Sequence, residues 1–133
     1  MSDNELVKLA IEAREKSYSP YSNFMVGAAL VAISGKVYTG ANLENAAYSP
    51  TICGERSAIA TAVSAGEREF IKIAVAGWAK DGEGFATPCG VCRQTLMEFC
   101  KNDMEILIVD NTGDYKKYTM EEILPMGFGP HSL

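Results

Sequence analysis

The segment Phe70-Ile-Lys-Ile-Ala-Val-Ala-Gly-Trp78 lies at the centre of an alternating pattern of apolar and helix-like segments. It is largely apolar, which predicts a buried strand. A glycine-rich loop over 80–88 follows, Cys89 to Cys100 predicts a helix, and Glu105 to Val109 predicts a short strand. Because strands and helices alternate here, we expect a partly parallel sheet with helices packed on it.

The first half of the chain predicts a helix followed by a β-hairpin. Apolar residues recur at helical spacing between Leu6 and Ala13, and the preceding pair Asp3-Asn4 is able to cap a helix. Two apolar segments then flank the turn Ser34-Gly-Lys36, which predicts antiparallel strands over Phe24 to Ile33 and Val37 to Ala41.

The remaining elements complete a mixed α/β pattern. Cys53 to Ala65 predicts a helix that ends at Gly66, and Tyr115 to Tyr118 predicts a last strand. Thr119-Met-Glu-Glu122 has the spacing of a capping box, which predicts a short helix. We therefore expect residues 1–133 to form one domain with a mixed sheet, since the hairpin adds antiparallel strands.

Composition and charge exclude several classes of protein. The 133 residues are 47% hydrophobic and 22% charged, which is typical of one globular domain and not of a disordered chain. No apolar run reaches the roughly 20 residues of a membrane span, and the polar start lacks the features of a secretory signal. We expect a cytoplasmic protein with no membrane partner. The net charge is −5 and the Lys and Arg residues are scattered, so we expect no nucleic-acid partner.

Three of the four cysteines carry the strongest chemical signal. Cys53-Gly-Glu55 begins one predicted helix, and Pro88-Cys89-Gly-Val-Cys92 begins another. The N–H groups and partial positive charge of a helix N-terminus favour thiolate over thiol. In a cytosolic chain, metal binding by cysteine is favoured over a disulfide. We therefore expect Cys53, Cys89 and Cys92 to hold one zinc ion.

A fourth protein ligand is not evident in the sequence. Cys100 lies eight residues beyond Cys92, about 12 Å along a continuous helix, and we expect it to be a core cysteine. His131, the only histidine, lies in the irregular tail. Three ligands leave one position for water, the pattern of a catalytic zinc. A redox Cys-x-x-Cys pair would leave Cys53-Gly-Glu55 unexplained, and a structural zinc would lack its fourth ligand.

Glu55 and Arg56 are the candidate functional residues beside this cluster. A carboxylate near the open position could accept a proton from water whose pKa the zinc lowers, which predicts a catalytic role for Glu55. Three thiolates and one Zn²⁺ leave excess negative charge. We expect Arg56 to offset it by hydrogen bonding to thiolate sulfur.

Longer motifs extend this pattern over nearly the whole chain. They are Tyr18-Ser-Pro-Tyr-Ser-Asn-Phe24, Val26-Gly-Ala-Ala-Leu30, Asn42-Leu-Glu-Asn-Ala-Ala-Tyr48, Cys53-Gly-Glu-Arg56, Pro88-Cys-Gly-Val-Cys-Arg-Gln94 and Phe128-Gly-Pro130. With these motifs the sequence closely resembles the small homotetrameric zinc-dependent cytidine deaminases. Gly54 stands where alanine is common in that family, and Met25 stands where proline is common.

The resemblance implies a fold and a reaction. The fold would be a single-domain α/β/α layered arrangement with a mixed five-stranded sheet. The reaction would be hydrolytic deamination of cytidine and 2′-deoxycytidine to uridine and 2′-deoxyuridine, with release of ammonia, in pyrimidine salvage. Each subunit of a homotetramer would hold one zinc through its cysteines, with Glu55 as proton shuttle and active sites at subunit contacts.

The resemblance also implies contacts to a nucleoside substrate. The residues concerned are Phe24, Asn42, Glu44, Asn45, Ala46, Tyr48 and Phe128. Asn42 and Glu44 would bind ribose hydroxyls, Phe24 would pack against the pyrimidine, and Phe128 would reach a neighbouring subunit's site. The two aromatic residues could instead be ordinary packing contacts, and the two polar ones ordinary turn residues.

Two alternative functions remain open at this point. A related aminohydrolase, such as a blasticidin-S deaminase, would share the zinc site, although the segment Asn42 to Tyr48 favours nucleoside recognition. A zinc-stabilised binding module without catalysis would also need the three cysteines.

Overall fold

The computed structural model describes the backbone of residues 1–133 and the side chains of residues 1–99 and 103–133. Helices and strands alternate along most of the chain. In order they are α1 Asp3–Arg14, β1 Phe24–Ala32, β2 Val37–Ala41, α2 Gly54–Ser64, β3 Phe70–Ala79, α3 Gly90–Phe99, β4 Cys100–Val109, β5 Tyr115–Thr119 and α4 Met120–Ile123.

The strands form one mixed five-stranded sheet in the order β2-β1-β3-β4-β5. β3 and β4 pair in parallel, with α3 in the connection between them. The other neighbouring strands pair antiparallel. The predicted mixed sheet is therefore confirmed, and the predicted strand Phe70 to Trp78 belongs to its parallel pair.

Helices cover both faces of the sheet, because alternate strand residues point to opposite sides. On one face, Leu30 of β1 packs in a core with Ile59 of α2 and Leu96 of α3. On the other face, Ala29 of β1 packs with Leu6 of α1. The expected α/β/α layering is confirmed, with α1 alone on its face and α2, α3 and α4 on the opposite one.

Two glycines allow helices to lie directly on strands. A Cβ at Gly27 of β1 would lie 2.1 Å from the backbone nitrogen of Arg14, at the end of α1. A Cβ at Gly40 of β2 would lie 2.3 Å from the backbone nitrogen of Ala58 in α2. Neither position has room for a side chain, so these glycines set how closely both helices approach the sheet.

Trp78 and Arg14 fix the end of β3. Trp78 is buried, as expected for a core residue. The Arg14 guanidinium lies 4.2 Å from the centre of the indole ring and donates to the carbonyl oxygens of Trp78 and Ala79 at 2.9 and 3.0 Å. The loop that leads to Pro88 therefore starts from a well-anchored strand end.

Three sequence predictions need correction or comment. Ser2 caps α1, where the pair Asp3-Asn4 was expected, because its Oγ accepts from the backbone N–H of Glu5 at 3.2 Å. α3 ends at Phe99 and β4 already begins at Cys100, five residues before the predicted strand, because residue 100 pairs with Phe70. The expected core position of the Cys100 side chain lies outside the described side chains.

The C-terminal part agrees with its prediction. Thr119 Oγ1 accepts from the backbone N–H of Glu122 at 3.2 Å, and Glu122 Oε1 accepts from that of Thr119 at 3.0 Å, which confirms the capping box. Within the described chain, no helix combines the length and hydropathy that a membrane crossing requires.

Candidate active site

The three candidate metal ligands meet where α2 and α3 begin. Cys53 is the N-cap residue of α2, Cys89 directly precedes α3, and Cys92 lies in the first turn of α3. Gly54 brings the start of α2 close to β1, since a Cβ there would lie only 2.9 Å from the carbonyl oxygen of Val26. Both helix N-termini therefore direct their partial positive charge at one point.

The sulfur atoms have the spacing of a three-thiolate metal site. Cys53 Sγ and Cys89 Sγ lie 3.7 Å apart, Cys89 Sγ and Cys92 Sγ lie 3.5 Å apart, and all three lie within 4.8 Å of one another. Thiolates bound tetrahedrally to one zinc at about 2.3 Å are separated by about 3.8 Å. Among the described side chains, His131 does not belong to this group. The donor set and spacing fit zinc.

Hydrogen bonds and charge already favour thiolate at Cys53. A hydrogen bond from Cys92, together with the Arg56 guanidinium, lowers the pKa of Cys53 to about 5. The same Cys53–Cys92 bond and burial raise the pKa of Cys92. Arg56 Nη2 donates to Cys53 Sγ at 3.5 Å, and this thiolate in turn raises the pKa of the guanidinium. Arg56 therefore lies where charge compensation was expected.

Glu55 lies buried beside the sulfurs with one free oxygen. The residue is 3% exposed, and within the part of the chain with described side chains its Oε1 atom has no hydrogen-bond partner. Burial, and to a lesser degree the charge of Cys53, raises the pKa of its carboxyl group to about 7. A bound dication would lower that pKa again. A buried polar atom without a partner needs an explanation, and a group held by the cysteines supplies one.

A cavity of about 260 Å³ leads to this cluster. Its walls bring together six of the residues singled out in the sequence: Phe24, Asn42, Glu44, Cys53, Glu55 and Cys89. Phe24 is the first residue of β1 and pairs with Ala79, the last residue of β3. Candidate sugar contacts, an aromatic ring and the metal cluster therefore line one space.

Most of the hydrogen-bonding capacity of the Asn42 side chain is used by other residues of the same chain. Its Oδ1 accepts from Ser17 Oγ and, at 3.0 Å, from the backbone N–H of Val26, while Nδ2 donates to the carbonyl oxygen of Phe24 at 2.8 Å. A carboxamide has two N–H donors, so one remains for a ligand. Asn42 thus also fixes the start of β1, a structural role that the sequence did not indicate.

Glu44 is held by the turn at Tyr21 and Ser22. Glu44 Oε1 accepts from the backbone N–H groups of Tyr21 and Ser22 at 3.0 and 3.1 Å, and Oε2 accepts from Ser22 Oγ at 2.5 Å. These hydrogen bonds, the one from Ser22 Oγ foremost, lower the pKa of the carboxyl group. The Glu44 side chain is therefore an oriented, ionised acceptor with a lone pair left on Oε2.

Four of the predicted substrate contacts lie elsewhere in the single chain. Asn45 and Tyr48 line an adjacent cavity of about 290 Å³, next to Tyr21. Ala46 and Phe128 line neither of these two cavities, and both are exposed. The backbone of Phe128 is nevertheless fixed, because Gln94 Nε2 donates to its carbonyl oxygen at 2.7 Å.

Sequence reasoning missed Ser22 and Thr87 as cavity residues and Arg93 as a contact to the loop that carries Cys89. Ser22 lies in the motif Tyr18 to Phe24, and Arg93 lies in the motif Pro88 to Gln94. The motifs gave no reason to single them out, because their partners Glu44 and Pro88 come into reach only in the folded chain.

Comparisons with known proteins agree with this geometry. Residues 1–108 match the family model for the cytidine and deoxycytidylate deaminase zinc-binding region. A cytidine deaminase of Sporosarcina psychrophila is 44% identical over 133 residues, covering 100% of this chain and 96% of the relative. One of Halalkalibacterium halodurans is 44% identical over 128 residues, covering 96% of this chain and 95% of the relative.

Solved structures show the same similarity. The crystal structure of cytidine deaminase from Burkholderia pseudomallei superposes with a TM-score of 0.88 at 43% identity, covering 96% of this chain and 100% of that one. The enzyme from Mycobacterium tuberculosis superposes with a TM-score of 0.82 at 32% identity, covering 97% and 99% of the two chains.

Proposed function

Since the chain belongs to the family defined by the cytidine and deoxycytidylate deaminase zinc-binding region, we propose that it hydrolyses cytidine and 2′-deoxycytidine to uridine and 2′-deoxyuridine with release of ammonia. It would then be a zinc-dependent hydrolase that acts on cyclic amidines in pyrimidine salvage, with residues 1–133 as one catalytic domain. The observation that carries the proposal is the free, buried Oε1 of Glu55 beside three converging sulfurs.

Cys53, Cys89 and Cys92 would hold one zinc per subunit. When bound, the metal would act as a Lewis acid and lower the pKa of water at the site. Arg56 keeps one sulfur hydrogen-bonded at 3.5 Å, which limits the electron density that the thiolates donate.

Glu55 would move the protons of the reaction. Its Oε1 takes a proton from the attacking water, whose oxygen adds to C4 of the pyrimidine. The carboxyl group delivers that proton to N3 and then carries the second water proton to the amino group, which leaves as ammonia. A residue that is 3% exposed loses few of these protons to solvent.

Asn42 and Glu44 would bind sugar hydroxyls. The free N–H of Asn42 can donate to a hydroxyl oxygen, and the free lone pair on Glu44 Oε2 can accept a hydroxyl hydrogen. Phe24, at the same cavity, would pack against the pyrimidine ring.

The charge on Glu44 favours nucleosides over nucleotides. Its pKa is held below the ordinary value, so the side chain is ionised at neutral pH and repels a 5′-phosphate close to the sugar. We expect kcat/KM for cytidine and deoxycytidine to exceed that for dCMP in parallel assays. A preference for dCMP would contradict this role of Glu44.

Assembly into a homotetramer would complete the substrate site. Large apolar side chains are exposed around the cavity mouth and on the C-terminal segment: Tyr18, Tyr21, Leu43, Tyr48, Ile52 and Phe128. Exposed apolar surface of this kind marks a protein contact. In this proposal Asn45, Ala46 and Tyr48 line sites at subunit contacts, and Phe128 reaches a neighbour's site. We place the protein in the cytoplasm, where reduced cysteines persist.

The direct test is turnover by the purified protein. We expect cytidine to lose its absorbance as uridine forms, with one ammonia released per nucleoside, and we expect a zinc chelator to stop both. Circular dichroism of the chelated protein checks that the fold is retained. Zinc-loaded protein that releases no ammonia from either nucleoside would contradict the proposed function.

A further inference from the structure

Arg93 follows the candidate ligand Cys92 on α3, and its guanidinium binds backbone and hydroxyl oxygens instead of sulfur. Nε donates to the carbonyl oxygen of Pro88 at 2.7 Å, Nη1 to that of Ile123 at 2.7 Å, and Nη2 to Thr87 Oγ1 at 3.1 Å. Each nitrogen has a different acceptor. One side chain therefore joins the turn before Cys89 to the end of α4.

Of the three candidate ligands, Cys89 is the one most exposed to solvent. Cys92 is fully buried in α3 and Cys53 is half-buried as the cap of α2, whereas Cys89 is exposed and precedes the first residue of α3. Apart from its chain neighbours and the backbone of its own helix, a Cβ built at Gly90 would meet no described atom within 4 Å. The Cys89 carbonyl oxygen accepts from the backbone N–H of Arg93 at 2.9 Å, which ties Cys89 to α3 on one side. On the other side its position depends on the turn at Thr87 and Pro88.

The loop before this turn is anchored at two points by side chains. At Gly84, the backbone N–H donates to Asn111 Oδ1 at 2.9 Å, and the Gly84 carbonyl oxygen accepts from the Asn111 backbone N–H at 3.1 Å. At Thr87 and Pro88, the anchor is Arg93. Because Pro88 is itself fully buried, loss of the second anchor would loosen the chain between Gly84 and α3 without releasing it.

We propose that Arg93 is a positioning residue that holds the Thr87-Pro88 turn, keeps Cys89 Sγ beside the other two sulfurs, and thereby sets how long zinc stays bound. The inference rests on the zinc site of the proposed function and is independent of the substrate. Arg93 differs from Arg56, which acts on sulfur directly. Arg93 instead holds the backbone around Cys89 in place. Its planar guanidinium donates to three acceptors at once, which a lysine ammonium cannot do with the same geometry.

The test measures zinc release from the holoenzyme into the chromogenic chelator 4-(2-pyridylazo)resorcinol, without nucleoside. We expect Arg93→Gln to release zinc about tenfold faster than the parent protein, the usual effect of losing a group that orients a metal ligand. Arg93→Lys should release zinc at an intermediate rate. The matched control is Arg68→Gln, because Arg68 Nη1 donates to two carbonyl oxygens, of Val63 and Glu67, at the opposite end of α2.

Arg93→Gln with the parent release rate would overturn the proposal, and so would an equal acceleration in Arg68→Gln. Circular dichroism establishes that each variant is folded. If Arg93→Gln does not fold, Thr87→Val removes one acceptor and keeps the arginine; it should accelerate release by a smaller factor, and an unchanged rate would overturn the proposal. A protein that retains zinc as expected but does not deaminate cytidine would contradict the proposed function alone.

Discussion

The two ends of the substrate cavity differ in how completely one chain builds them. At the inner end, Cys92 and Glu55 are buried, and Arg56 already donates to a sulfur. At the outer end, Tyr21 and Tyr48 are 53% and 74% exposed, and their rings meet edge to face with centres 6.3 Å apart. In the proposed function, a single chain would assemble the chemistry, and a neighbouring subunit would complete the recognition of the nucleoside.

Physical constraints explain the difference. A metal cluster and a proton-transferring carboxyl group must be fixed before substrate arrives, so helix N-termini and arginines hold them within one core. Exposed aromatic side chains at a cavity mouth gain their free energy only when another surface covers them. A substitution at one end should therefore leave the other end unchanged.

The largest effect is expected from Glu55→Gln at the inner end. The amide has the same shape but cannot shuttle protons, so kcat should fall by about 10³-fold or more. Zinc content, measured by atomic absorption, should stay at the parent level because the three cysteines are intact. Near-normal turnover in this variant would remove Glu55 from the reaction.

A smaller loss is expected from Glu44→Gln, between the two ends. Removing a charged acceptor costs about 1.5–3 kcal/mol, or roughly 10- to 100-fold in kcat/KM for cytidine, with zinc retention unchanged. Glu67→Gln is the matched control, because Glu67 Oε2 also accepts from two hydroxyls, of Ser34 at 2.6 Å and Tyr38 at 2.8 Å, away from the cavity. Equal losses in both variants would contradict a substrate contact at Glu44.

At the outer end, Tyr48→Asp should weaken assembly. A charge in a subunit contact is costly to desolvate, so analytical ultracentrifugation should show smaller species and kcat/KM should fall roughly tenfold. Zinc content should be unchanged. Ile33→Asp, at an exposed position at the far end of β1, is the control and should leave the oligomer intact. An unchanged sedimentation profile for Tyr48→Asp would contradict the contrast between the two ends.

The smallest effect is expected outside the cavity, at the ion network of α1. Asp3 accepts from Lys117 Nζ and Lys72 Nζ, each at 2.6 Å, and these bonds, that of Lys117 foremost, hold the pKa of Asp3 below its ordinary value of 3.8. Lys117 is 46% exposed, so solvent screens the network. Asp3→Asn should therefore lower the free energy of unfolding at neutral pH by only about 1 kcal/mol.

The difference in the free energy of unfolding between the parent protein and Asp3→Asn should depend on pH in a definite direction. A lowered pKa in the folded state means that Asp3 stabilises the protein above about pH 3.8, and that this contribution is lost as the pH falls through the folded-state pKa. Denaturant unfolding should show the free energies of parent and Asp3→Asn converging as the pH falls below the folded-state pKa of Asp3. Asp81→Asn, in the exposed loop before α3, is the control. A difference that persists undiminished in acid would contradict the role of the ion network.

Local patterns predicted most of the fold. Apolar periodicity located β1, β2 and α2 to within about one residue at each end, and the capping box located α4. The early start of β4 was missed because residues 100–104, Cys-Lys-Asn-Asp-Met, have little strand propensity. In this segment residue 100 pairs with Phe70 of β3 before the register shifts to Lys72 and Glu105, and no local pattern records that pairing.

The candidate site divides in the same way. The pairs Cys53–Glu55 and Cys89–Cys92 could be found from local spacing, because each pair lies at one helix start. The meeting of the two helix starts was supported by the resemblance to a known family. The contacts of Arg93 to Ile123 and of Ser22 to Glu44 join distant parts of the chain. Nothing in the spacing of those residues encodes the distance between them in the folded protein.

X-ray absorption at the zinc edge of the purified protein tests the three-cysteine metal site directly. We expect one zinc per chain with three sulfur neighbours at about 2.3 Å and one oxygen neighbour at about 2.0 Å. A fourth sulfur or a histidine nitrogen in the coordination shell, or the absence of stoichiometric zinc, would contradict it.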